Sequence, residues 1–465
     1  MNKNIVIVGG GIAGMMSAYL LSKNTNYNIH LIEKSSELGG LLKSFDYQEF
    51  GKFDYGAHNI LESGIKELDE LLFSLLPEEE WTISSAINGQ KRALTGTLFN
   101  NKIQMNTPFI DLRKEKNILN LQSNFLNNID KNKEISYTSA YNYSKSIFGK
   151  KISKKYINKI FKNLYGVSSK NMNYMAMFLT PLTRVGLFNK TIMDDILYTK
   201  RISSNLAYPD QNSLDSKFFG TKKTYYPKNY GIFRVINALE KRLIKNGVNI
   251  HLNTTITNIK YSDSSIKQVK TNLSNITNIK HIFWSAGINI LDKLLRINTS
   301  TKKFQVPKKT VITNLLIDKK LNLRNICYLY NYDNKFKFFR IDNYINYSKN
   351  AKRKHGYPIS VEMLLDENEI KNMNIEEFVI LELKNSKILK ENTKINFCKT
   401  EILDYGFPLL SNKNIEIFDN IRYNIKSKKL SNLSLIGVLA NKDLFFESDI
   451  KKDLYIKIME FINDN

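Results

Sequence analysis

The opening 33 residues constrain the fold more than any other stretch. Ile5, Val6, Ile7 and Val8 form a β-branched apolar run, followed by Gly9, Gly10, Gly11, Ile12, Ala13 and Gly14, a G-x-G-x-x-G. Residues 12–22 predict a helix, and Asn28–Ile32 predict a second strand ending at Glu33. A continuous apolar run suits a parallel strand buried on both faces. Each glycine has a physical role: Gly9 permits a tight turn, Gly11 lets a pyrophosphate approach the backbone, and Gly14 lets helix and strand pack closely. The helix start, at Ile12 and Ala13, offers unpaired N–H groups and a positive dipole end to phosphates. Glu33 is placed to accept hydrogen bonds from adenosine ribose hydroxyls. An acid there favours FAD or NAD over NADP.

No charged residue falls between Asn4 and Ser22, as in a signal peptide or membrane anchor. Four glycines interrupt the run, and it ends in Lys23 and Asn24 with no small-residue cleavage pattern. Strand, turn and buried helix explain it better. No other segment is long and apolar enough to span a bilayer.

Composition narrows the classes further. The 465 residues suggest two or three domains. At 42% hydrophobic and 24% charged, the chain is not a disordered one. Two cysteines, Cys327 and Cys398, exclude a disulfide scaffold or cysteine metal centre, and five scattered histidines argue against a histidine one. A reducing, cytoplasmic compartment is expected. The net charge of +25 fits nucleic acid, an anionic membrane surface, an anionic substrate or plain solvated lysine. The lysines are spread along the chain, so no nucleic-acid partner is expected. Peripheral membrane contact ranks behind solvated surface charge.

After Glu33 come Lys34 and, further on, the pair Gly39 and Gly40, then Leu41. Gly51 to His58 follows, with Asp54, Gly56, Ala57 and His58. Together these segments resemble the glutathione-reductase-2 type flavoproteins, a group with amine oxidases, protoporphyrinogen oxidase, carotenoid desaturases and UDP-galactopyranose mutase. The resemblance implies non-covalent FAD, with the Gly39–Gly40 loop along its diphosphate and Gly56, Ala57 and His58 beside its ring. It implies an α/β fold: a discontinuous Rossmann-like FAD-binding domain (1–65, 225–300, 400–465), a mostly helical insertion (66–224) and a mixed-sheet substrate domain (301–399).

Later segments extend the likeness. Tyr226 to Gly231, the helix predicted over 232–246 and the strand over 248–252 resemble the return to the FAD domain, and Val248 would hold the adenine. The strand around 282–286 would end at Gly287, and the last apolar strand, 433–440, would carry Gly437. Glu447, Ser448 and Ile450 would form the final helix turn against the flavin. Arg340, in Phe339-Arg340-Ile341, and Arg184 fall where a mutase places arginines for its substrate diphosphate. His58, Arg340 and Arg184 are therefore the candidate catalytic residues. No metal ligand set is expected.

Four positions depart from the mutase pattern: Val438, Lys442, Phe407 and Glu62 replace an arginine, two tyrosines and a histidine. Two activities stay open. One is a redox-neutral, flavin-mediated rearrangement of an anionic, nucleotide-linked sugar or surface-glycan precursor, with NAD(P)H as reductant. The other is an oxidase that passes hydride to FAD and then to oxygen or a quinone, with Tyr405 and Phe407 as an aromatic wall. Oligomeric state is not legible.

Overall fold

The computed structural model describes residues 3–56, 58–84, 94–105, 107–129, 138–218, 222–296, 303–346, 348–404, 406–442 and 444–464. A five-stranded parallel sheet lies at one end, in the order 249–251, 28–32, 4–8, 279–284, 433–435. Ile5 and Ile7 are fully buried on one face of its centre, Val6 and Val8 on the other, which is why no polar residue alternates with them.

Helices cover both faces. Ile12–Asn24 packs on one face between Phe233–Lys245 and Glu447–Asn463. It is apolar nearly all round because it is surrounded, whereas Phe233–Lys245 buries only the stripe Val235, Ile236, Leu239 and Leu243. Ile288–Leu294 and Asn412–Ser427 pack together on the other face, beside an antiparallel meander of 256–262, 265–271 and 275–277. The mixed α/β, Rossmann-like architecture expected from the sequence is the one observed.

A second, seven-stranded sheet runs in the order 395–403, 309–317, 357–365, 338–343, 326–331, 94–99, 102–104. All its pairings are antiparallel except that of 326–331 with 94–99. Residues two apart on a strand share a face. One face is apolar, with Val311, Leu315, Leu329, Ile341 and Val361, and packs on the helix Ile375–Asn385. The other carries Asn314, Ser360, Glu362, Arg340, Asp342, Tyr328 and Tyr330 in register. Nothing drives those groups together except the strand pairing itself.

Several local expectations are corrected. The segment expected to be mostly helical also carries strands at 81–84, 94–99 and 102–104, and 94–99 joins the large sheet. Apolar spacing over 168–180 predicts a helix, but only Ala176–Leu179 is helical. Asn158 takes Ser169 N–H and Asn173 takes Met175 N–H, and these side chains set turns instead. Two Tyr-Pro pairs, glycine and lysines predict a long loop over 203–229, but it ends in a strand, Thr224–Pro227, between 60–61 and 81–84. The last apolar strand stops at Leu435, because Gly437 (φ +90°) and Leu439 (φ +62°) turn the chain. No helix among the described residues is long and apolar enough to cross a membrane.

Candidate active site

The site begins at the carboxyl end of the parallel sheet, where open α/β sheets bind ligands. Gly9 (φ +105°) donates its N–H to Ile32 O at 2.8 Å. A Cβ on Gly14 would stand 1.9 Å from Gly9 O, so helix and strand meet with no space for a side chain. Ser285 Oγ, from the strand pairing on the other side, donates to Val8 O at 2.8 Å and Gly9 O at 3.1 Å. Gly437 backs onto the same serine: a Cβ there would lie 3.1 Å from Ser285 O.

Gly11 caps the helix without a side-chain partner, and the first intrahelical bond is Met15 N–H to Gly11 O. The Ile12, Ala13 and Gly14 N–H groups therefore precede the helix's own ladder. Gly39 N–H donates to Gly10 O at 2.8 Å, and a Cβ on Gly40 would stand 3.0 Å from Gly11 Cα. The two glycine turns lie backbone against backbone. The groove they share is lined by main chain, which is the surface a diphosphate needs. Leu41 is exposed beside it, as is Lys34.

Glu33 follows its strand into this groove. Its carboxylate accepts Gly10 N–H at 2.6 Å, Ser35 N–H at 2.9 Å and Ser35 O–H at 2.6 Å. Lys43 Nζ donates to Ser35 Oγ at 2.7 Å, extending the chain. Val248 is not part of this arrangement. It precedes the strand 249–251, whose far end, His251, pairs with Ile32, and its N–H is taken by Leu243 O. At about 3.3 Å per residue, Val248 lies roughly 10 Å below the sheet's mouth. The residues that turn beside Glu33 are Leu252 to Thr254, with Thr254 N–H on Glu33 O at 2.9 Å.

Gly287 caps the helix Ile288–Leu294 just past Ser285, on the exposed surface. Glu447 and Ser448 open the final helix, where no side chain caps the end. Ile450 N–H is bound to Phe446 O at 3.0 Å and its side chain is buried in the core. Sequence reasoning also missed Lys451. Fully buried, it donates to Leu61 O at 2.7 Å and pairs with Glu447 at 2.9 Å, tying the helix start to the strand after His58.

Gly56 (φ +101°) carries the chain across the polar face of the large sheet. A Cβ there would stand 2.6 Å from Glu362 Oε1 and 3.5 Å from Arg340 Nη2. Ala57, Tyr405 and Asp443 lie outside the described residues. Arg340 donates Nη2–H and Nε–H to Glu362 Oε1, at 2.6 and 3.1 Å. Burial opposes its charge, but Glu362, Tyr330 and Asp342 more than offset that and keep it cationic. His58 is half-buried, and burial first, then Arg340, holds its pKa down to about 4. It is neutral at pH 7. Asp342 is fully buried beside Arg340, and burial drives its pKa well above the usual carboxylate range.

Arg184 is not brought to this cluster by any described contact. It is exposed, with its guanidinium 5.8 Å above the Phe109 ring. Phe407 packs edge-on to Phe339 at 5.1 Å in the helical core. Among the described residues no group of three or more histidine, cysteine or acidic side chains gathers to hold a metal. The carboxylates Asp54, Asp342 and Glu362 were the missed residues. Asp342 sits two places from Arg340, a signal available in the strand alternation. Glu362 becomes its partner only through strand pairing.

A family model described as an NAD(P)-binding Rossmann-like domain matches residues 7–72. No curated protein matches the sequence. Among solved structures, a reduced UDP-galactopyranose mutase is 14% identical with a TM-score of 0.74, over 100% of this chain and 96% of that one. A protein from Exiguobacterium sp. 255-15 described as a protoporphyrinogen oxidase is 13% identical, with a TM-score of 0.68 over 100% of both chains. A putrescine oxidase is 10% identical, with a TM-score of 0.61 over 99% of both. The chain shares the fold of these proteins along its whole length.

Proposed function

We propose that this chain is an FAD-dependent enzyme whose substrate is an anionic small molecule, a nucleotide-linked sugar or glycan precursor. The observation that carries the FAD reading is the main-chain groove between Gly11 and Gly40 with Glu33 at its end. Ile12 and Ala13 would face the diphosphate, Glu33 the adenosine ribose, and Gly56 and His58 the ring. FAD bound there would supply hydride acceptance when oxidised and a nucleophilic ring nitrogen when reduced.

The protein's own contribution is positional. The sheet's polar face presents Arg340 with Tyr328 and Tyr330, all half-buried. Three of the five guanidinium N–H groups remain for ligand oxygens after Glu362 takes two. Neutral His58 accepts or donates one hydrogen bond without adding charge.

A second reading, an oxidase of an uncharged substrate, draws on the neutralisation of Arg340 by Glu362. The first test is the visible spectrum of the purified protein after incubation with FAD. A flavin spectrum, released by acid as FAD, supports the proposal; a colourless protein overturns it. Anaerobic reduction of the loaded protein by NAD(P)H then favours the mutase-like reading. Reduction by substrate alone favours the oxidase.

A further inference from the structure

Arg340, Glu362 and Asp342 set two carboxyls against one guanidinium in a nearly closed place. The Arg340 side chain is 15% exposed and that of Glu362 3%, and Asp342 is fully buried. Asp342 shares a side-chain hydrogen bond with Glu362, carboxyl to carboxyl. Titratable groups surround the Asp342–Glu362 pair: Arg340 on the same strand as Asp342, the neutral side chains Tyr328 and Cys327 on the neighbouring strand, Tyr344 in the following turn, Asp54 from the hairpin of 44–46 and 52–54, and neutral His58, which faces Arg340 and Glu362. Arg340 is the only cation in that set.

We propose that Glu362 occupies Arg340 in the free protein as an internal stand-in for a ligand oxyanion. An anion arriving at Arg340 displaces it, and is bound together with one proton that the Glu362–Asp342 pair takes from solvent. This rests on the anionic-substrate reading above. The charge balance requires the proton. Before binding, guanidinium and one carboxylate cancel, and the second carboxyl is neutral. After binding, guanidinium and ligand cancel, and an unpaired carboxylate left behind would be buried against another carboxyl. Two like charges at one buried site do not both ionise. No covalent bond is made or broken; one proton leaves solvent.

The consequence is selectivity. An anion must be good enough to replace a carboxylate already in two-donor contact with Arg340. A neutral ligand gains nothing from Arg340 and moves no proton.

The test uses full-length, FAD-loaded protein and methanesulfonate, an oxyanion that does not itself titrate over the range used. Calorimetry in buffers of differing ionisation enthalpy reads the proton count. Uptake approaching one proton per bound anion is expected, with affinity falling up to about tenfold per pH unit on the alkaline side. Arg340→Gln should abolish the binding. Glu362→Gln should tighten it by about tenfold or more and remove the uptake. Asp342→Asn should keep binding but reduce uptake, because its amide can donate to a displaced Glu362 carboxylate. Arg340-dependent binding without proton uptake in the wild type overturns the proposal, as does the absence of any Arg340-dependent binding. Failure to load FAD at all would instead count against the flavoenzyme reading.

Discussion

Tyr226 donates its hydroxyl to Asp54 Oδ2 across 2.6 Å in full burial, while Ile232 N–H reaches Oδ1 at 3.1 Å. The strand Thr224–Pro227 and the start of the Phe233–Lys245 helix are thereby fixed to the hairpin of 44–46 and 52–54 that leads into Gly56. Burial raises the Asp54 pKa to about 7, with Tyr226, Ile232 and Arg353 holding it from going higher.

That shift sets a pH dependence. The folded state holds the proton more tightly than the unfolded state, whose value is 3.8. This contribution to stability is fully present below 3.8 and is lost as pH rises to about 7. Relative to Asp54→Asn, the wild type should gain on the order of 4 kcal/mol between neutral and acid pH. Paired urea titrations at both ends of that window measure it. A difference that stays constant with pH refutes the assignment.

Gly14→Ala tests the helix–strand contact. Its methyl would meet Gly9 O at 1.9 Å, and Gly9 is held from the far side by Ser285. Backbone must move. The expected cost is about 1–3 kcal/mol or more, together with loss of FAD uptake. Thermal unfolding and flavin content report the two effects. An alanine variant with unchanged melting and flavin content would contradict the packing described.

His58 and His281 are both held to about 4, by burial first and then by Arg340 and Lys280 respectively. Their neutral forms stabilise the fold above 6.5, and that stability is lost as pH falls toward 4. The His58 ring resonance should stay constant through neutral pH in a histidine-selective NMR titration. Any activity limb near neutrality should survive His58→Asn. A His58 midpoint near 6.5 would show that the ring is solvated and free of Arg340.

Glu33→Ala removes the acceptor of three hydrogen bonds and the proposed ribose contact. FAD should bind roughly 10- to 100-fold more weakly, about 1.5–3 kcal/mol. Fluorescence titration of the flavin-free protein reads the change. Wild-type affinity in the variant would place the ribose elsewhere.

The parallel-sheet end of the molecule is legible in the residues alone. Ile5 to Val8, the glycines at 9, 11 and 14, and Glu33 form a local unit whose parts lie within about thirty residues. Its turn geometry, helix start and strand burial are dictated by those residues alone. The same holds for the buried stripe of Phe233–Lys245. Sequence reasoning failed where backbone capping by asparagine overrode periodicity, at 168–180, and where positive φ cut a strand short at Gly437.

The second half of the site comes together only when the chain folds. Arg340 and Glu362 are twenty-two residues apart in sequence, and Asp54 lies far from both. What joins them is strand register and the passage of Gly56 across the sheet. Whether Arg340 stands as a free cation or a neutralised one therefore depends on a pairing that no local pattern encodes. Burial then turns that pairing into chemistry, because charge interactions that water would screen become decisive once solvent is excluded.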